Sequence, residues 1–194
     1  LICGSRALFA DFAGKIRTQI DPKAFLKNKR LEQDERHVRY QETPYALEPN
    51  CKESPGGLRD MQVILWISRA AGLGDSWSDL ARLGYITRGE ALQIKGLETF
   101  LRHARIRLHH LTGRREDRLL FDHQEAVAGQ FGIVANKTRR ASELLMQRYF
   151  RTAKSITQLN TILLQNLGAE IFPEKNQAPI VIDERFQMDH DLLD

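Results

Sequence analysis

The chain has 194 residues, 42% hydrophobic and 28% charged, with 29 Lys and Arg against 25 Asp and Glu. That length and apolar fraction fit one domain with a sizeable core, and no apolar run reaches membrane-spanning length. The net charge of +4 gives no ground by itself for nucleic-acid binding but favours anionic partners, and the two distant cysteines, Cys3 and Cys51, read as free thiols of a reducing cytoplasm.

Leu1-Ile2-Cys3 is too short for a signal peptide, and the missing Met suggests a piece of a longer protein. Ala7, Phe9, Phe12, Ala13 and Ile16 recur three and four apart and predict a first helix, with Ser5 as its N-cap. Gly4-Ser5 could open a nucleotidyltransferase metal motif only if an Asp-x-Asp strand followed. None does, and Asp11 stands alone in a helical pattern. Asp21-Pro22 is an N-cap and first position for a second helix, running to about Tyr40. Its apolar stripe is narrow. The simpler reading is a solvated helix laced by Glu32/Arg36 and Glu35/Arg39 pairs; the functional one is a cleft wall facing phosphates.

The helical pattern then breaks over Leu47 to Asp60. Pro49 and Pro55 push their preceding residues toward extended backbone, and Gly56-Gly57 permits a sharp bend. Arg59-Asp60 opens an apolar run from Met61 that reads as a buried helix to Ala71, ended by Gly72 and Gly74. A glycine-bearing loop is thus delivered onto a helix N-terminus beside Lys52 and Arg59, where free N–H groups and the helix dipole would suit an anion. It is neither a Walker A loop nor a dinucleotide fingerprint. A plain connector would explain the Pro and Gly, but Asn50, Lys52, Glu53, Arg59 and Asp60 are more functionality than a turn needs.

Trp77 to Leu83 fits a short helix stopped by Gly84. Thr87 and Glu90 form a capping box for a helix to about Thr112, with Gly113 as its C-terminal residue. Ile94, Leu97, Leu101, Ala104, Leu108 and Leu111 form a seam, with Arg102, Arg105 and His109 on the other face. Arg114 to Phe121 is a second charged connector, whose simplest reading is a solvated turn. Asp122 and Glu125 predict another capping box and a helix to about Phe131. The last helix runs from about Arg139 to Leu167, closed by Gly168, with Leu145, Tyr149, Ala153, Ile156, Leu159, Leu163 and Leu167 inward. Beyond it Pro173, Pro179 and Ile180-Val181-Ile182 read as extended. The whole is expected to be all-α: a multi-helix bundle with short interhelical loops over residues 1–172 and an extended tail, a linker or edge strand, over 173–194.

No catalytic constellation is complete. His109-His110 point to different faces of a helix, and no zinc, Ser/His/Asp or clustered Cys/His motif is present. His190-Asp191 spells an HD dyad and Asp189/Asp191 an Asp-x-Asp pair, but both sit in the tail without further ligands. No catalytic or metal-binding residue is therefore assigned.

Glu48 to Asp60 resembles the E-P-N-x-K-E-G-P-G-G-L-R-D signature of the bacterial bifunctional protein-PII uridylyltransferase/uridylyl-removing enzymes, with Ser54 where the family usually has glycine. Gly113 to Gln124 and Met146 to Lys154 resemble two further runs of the same family, in the same order and spacing, so that the likeness extends from about Ala24 to Phe186. The resemblance implies a helical domain beside a nucleotidyltransferase and an HD hydrolase domain of the same chain, in an enzyme that transfers UMP from UTP to the PII signalling protein and removes it when glutamine is plentiful. No cofactor is expected within this piece; magnesium is implied for the whole enzyme. The expected nucleotide-facing residues are Asn50, Lys52, Gly56, Gly57, Arg59 and Asp60 of the loop, with Arg114, Arg115, Asp117 and Arg118 of the connector. Lys52 and Arg59 would offset phosphate charge, Gly56-Gly57 would let backbone approach the ligand, and Asp60 would cap its helix or orient Arg59. The alternative is a non-catalytic helical module that docks a protein or RNA through Arg-rich faces, separable by the steep salt dependence of RNA binding.

Overall fold

The computed structural model describes residues 3–40, 42–173, 180–181, 187–189 and 192–193. Among them are seven helices: α1 (Arg6–Gln19), α2 (Pro22–Arg39), α3 (Leu58–Ala70), α4 (Trp77–Arg82), α5 (Arg88–Thr112), α6 (Phe121–Gln130) and α7 (Ala141–Ile171). They form the expected all-α bundle. The spine is α7, on which α2, α3, α5 and α6 all pack. Its inward stripe of Leu145, Tyr149, Ala153, Ile156, Leu163 and Leu167 is buried, and Leu159 is partly so. Against it lie Ile64 and Ile67 of α3 and Ile94, Leu101, Ala104 and Leu108 of α5. Burying these side chains, at about 25 cal/mol per Å² of apolar surface, is the main favourable term for the bundle.

The helix starts follow local chemistry. Ser5, Asp21 and Ser76 accept hydrogen bonds from the backbone N–H of Leu8, Lys23 and Asp79. The Thr87/Glu90 box closes in both directions, at 3.1 and 2.7 Å. Gly113 ends α5 at φ 64°, a left-handed conformation that favours glycine.

Several expectations are corrected. The Asp122/Glu125 box does not form. Instead α6 begins at Phe121, whose N–H donates to Glu48 Oε1 at 2.9 Å, and the Glu125 carboxylate accepts from Ser142 N. Gly168 does not close α7, which continues to Ile171. Its missing side chain makes room for Arg30, whose guanidinium donates to the Leu164 carbonyl at 2.7 Å. The Glu32/Arg36 pair is replaced: Lys29 binds Glu32, and Arg36 turns inward to Asp60. No Glu35/Arg39 pair occurs among the described residues. Leu111 lies exposed at the end of its seam, and α1 holds Leu8, Phe9, Phe12 and Ile16 at its surface.

Past α7 the described backbone makes three short strands, β1 (Ile180–Val181), β2 (Gln187–Asp189) and β3 (Leu192–Leu193), paired antiparallel in that order. Ile182 and the His190-Asp191 dyad lie outside the described residues.

Candidate functional site

The Leu47–Asp60 stretch folds on its own hydrogen bonds. Asn50 Oδ1 accepts from the N–H groups of Lys52 and Glu53, at 3.0 and 2.8 Å, and so turns the chain. Ser54 Oγ accepts from Asn50 N at 2.9 Å, a bond that glycine at this position could not make. The Leu58 and Arg59 amides donate to the carbonyls of Cys51 and Lys52, and Gly56 N donates to Asp60 Oδ2 at 2.7 Å. The N–H groups expected to greet an anion are therefore already spent within the loop.

The two glycines serve packing rather than ligand approach. Gly56 has φ 75°, and a Cβ there would stand 2.3 Å from the Ala153 carbonyl oxygen. A Cβ on Gly57 would stand 2.8 Å from the carbonyl oxygens of Lys52 and Ser54. Close approach of the loop to α7 and to itself requires both positions bare. Asp60 is fully buried, and neither caps its own helix nor orients Arg59. Its carboxylate accepts from Arg36 Nη2 at 2.7 Å and lies 3.0 Å from His37 Nε2, while its backbone carbonyl accepts from Asn160 Nδ2 at 2.9 Å. One side chain thus ties the loop to α2, and its peptide group ties it to α7.

The connector is sewn to the same loop. Cys51 N donates to the Asp117 carbonyl, Leu119 N donates to that of Pro49, and Asn50 pairs with Arg118 in an isolated antiparallel bridge. The Asp117 side chain is also committed: Arg105 and His109 of α5 both bond to it. Burial opposes its ionisation, but those hydrogen bonds and the Arg105 charge outweigh it, holding the carboxyl below its ordinary value.

Between these pieces opens a cleft of about 430 Å³. Glu32, Glu35, Arg36 and Arg39 of α2, with Tyr40 at its C-terminal cap, form one wall. Asn50, Glu53 and Arg59 form the second, and Arg115 with Asp117 the third. At its centre Glu53 takes a hydrogen bond from Arg59 Nη2 at 3.1 Å, lies 3.2 Å from Lys52 Nζ, and lies 4.0 Å from Arg36 Nε. Burial raises its pKa, yet the hydrogen bonds and charges of Arg59 and Lys52 win and hold it below the usual carboxylate range. Arg59 is further braced by Gln62 and by the Trp66 ring, 5.2 Å from its guanidinium carbon.

Of the ten residues expected from the sequence, Asn50, Arg59, Arg115 and Asp117 line the cleft together. Lys52 reaches Glu53 without lining it; Gly56, Gly57 and Asp60 are buried behind it. Arg114 pairs with Glu116 and Arg118 is exposed, both away from the cleft wall. The sequence offered α2 as a possible cleft wall and Glu53 as part of the charged loop, but did not single out Arg36, Arg39 or Glu53 as ligand-facing groups. The available signal was the spacing of Glu32, Glu35, Arg36 and Arg39, which puts four charges on one helical face. Reactive groups are not exposed here. Burial pushes the Cys51 thiol up to about 12 and the Tyr149 hydroxyl well above its ordinary value, so both stay protonated at neutral pH. No group of three or more His, Cys, Asp or Glu among the described residues could hold a metal ion.

Comparison with known proteins adds a second line of evidence. The family model described as GlnD PII-uridylyltransferase matches residues 24–164. A bifunctional uridylyltransferase/uridylyl-removing enzyme of Aromatoleum aromaticum is 59% identical over all 194 residues, and that of Nitrosospira multiformis 55%. That of Bordetella parapertussis is 50% identical over 193 residues. The chain spans 22% of the length of each of these relatives. No solved structure matches it.

Proposed function

The chain belongs to the GlnD PII-uridylyltransferase family, and from that premise we propose that it is the helical part of a bifunctional uridylyltransferase whose charged cleft packs beside a nucleotidyltransferase domain and closes over UTP and PII. The carrying observation is convergence: the signature loop, the charged connector and α2 reach one cavity from three places in the chain. Arg59 and Arg115 would meet the phosphates, whose paired oxygens suit the planar bidentate fork of a guanidinium group. Magnesium and the transfer chemistry belong in this reading to the neighbouring domain, and an HD domain of the same chain would supply uridylyl removal. The setting is a cytoplasmic enzyme of glutamine signalling. No helix among the described residues is long and apolar enough to cross a membrane.

The test is uridylylation of PII by the full-length enzyme carrying Arg59→Ala or Arg115→Ala. Removing either charge-assisted interaction should raise the KM for UTP roughly tenfold. Wild-type kinetics in both variants would refute the assignment. An RNA-docking reading draws less support, because the arginines of the α5 and α7 faces are largely spent. Arg102 pairs with Glu98 and Arg105 with Asp117, while Arg107 and Arg148 stack on Phe131 and Phe100.

A further inference from the structure

We propose that the Glu53 carboxylate is a built-in stand-in for a ligand phosphate, holding Arg59 and Lys52 until an entering diphosphate group displaces it, takes over those two cations and accepts from the free Arg36 Nε–H. This rests on the reading of the cleft as a nucleotide site and adds how that site is kept ordered and how it discriminates.

Four observations carry it. Arg59 and Lys52 converge on the Glu53 carboxylate, two cations on one anion, while the charge of Arg36 beside them is balanced by Asp60. Arg36, with its side chain only 9% exposed, keeps an Nε–H without a hydrogen-bond partner, 4.0 Å from Glu53 Oε2 and on the cleft wall. A buried donor left unmade is costly, and such groups call for a partner. Further cations wait on the same cavity: Arg39 has no ion-pair partner among the described residues, and Arg115 lies 3.7 Å from an Asp117 already bonded to Arg105 and His109. Finally, the Glu53 backbone is anchored independently of its side chain. Its N–H donates to Asn50 Oδ1 and its carbonyl accepts from Arg36 Nη1 at 2.9 Å. The carboxylate, 21% exposed, can swing outward while the loop keeps its shape.

Displacement also selects the ligand. A carboxylate tethered beside its cations has a high effective concentration, so a single carboxylate from a partner gains nothing by replacing it. A diphosphate brings more charge and more acceptor oxygens, enough to span Arg59, the Arg36 Nε–H and Arg39 at once. Its source is either free pyrophosphate or the polyphosphate of a nucleotide.

The experiment is calorimetric titration of the full-length enzyme with inorganic pyrophosphate and, separately, with UTP. Glu53→Gln keeps the shape and removes the competing charge, and should tighten both by roughly threefold to tenfold. The gain should vanish when Arg59→Ala is added, because the two residues act as one unit. Glu53→Asp, which draws the carboxylate back by one methylene, should tighten binding in the same direction and serves if Glu53→Gln lowers the thermal midpoint. Unchanged or weaker binding in both Glu53 variants, with the thermal midpoint preserved, overturns the proposal. Tightening for UTP but not for pyrophosphate overturns the diphosphate assignment. If Arg59→Ala and Arg115→Ala leave UTP binding at the wild-type level, the cleft reading itself fails. If they weaken it while Glu53→Gln does not tighten it, only the stand-in role fails.

Discussion

Asp60 and Arg36 face each other at 2.7 Å where water has little access. Removing one member of such a pair strands the other, so Asp60→Ala should cost about 3–5 kcal/mol in denaturant unfolding, far more than an exposed pair would. Asp117 and Glu53 make stability depend on acidity. Both carboxyls sit below their ordinary values of 3.8 and 4.5 in the fold. The unfolded chain therefore binds more protons through this range, and their contribution is full above the ordinary values and disappears as pH falls through the lowered ones. Asp117→Asn should accordingly flatten the loss of stability with acid below about pH 4, as followed by thermal unfolding across pH. The sequence showed the charges of this cleft but not their pairing. Arg36 reads as half of an i,i+4 pair because helical spacing sees only the helix it is written on. Its partner lies 24 residues away.

Helix α6 illustrates the same limit at the next scale. Asp122 and Glu125 have the right identities for a capping box, yet the start of the helix is satisfied by Glu48, 73 residues upstream. The Gln124 side chain reinforces that junction by donating to the Leu47 carbonyl at 3.0 Å. Glu48→Ala should remove a cap, costing about 0.5–2 kcal/mol in denaturant unfolding, whereas Asp122→Ala should cost nothing comparable. Where cap and helix are neighbours in sequence, as at Ser5, Asp21 and Thr87, periodicity and cap chemistry locate the start correctly. Gly56 and Gly57 were legible as a bend, but their purpose was not, because Gly56 admits the backbone of α7 nearly a hundred residues later and Gly57 admits the Lys52 and Ser54 carbonyls of its own loop.

The bundle as a whole was readable because its two long seams repeat at three and four residues and fill one core. What was not readable is the polar stitching that crosses it. Gln33 donates to Asn160 over 127 residues of chain, Asn160 to the Asp60 carbonyl over 100, and Arg30 to Leu164 over 134. All three end on α7. Loop closures of that span are slow to form, since their entropy must be met before the new bond rewards it. The signature loop can therefore set early through its own Asn50 and Ser54 bonds, but it gains its lid only when the last helix arrives. On a ribosome, all the walls of the charged pocket would have emerged with the Arg115–Asp117 connector, while the back of the loop, at Gly56 and the Asp60 carbonyl, would stay wet until α7 had been synthesised.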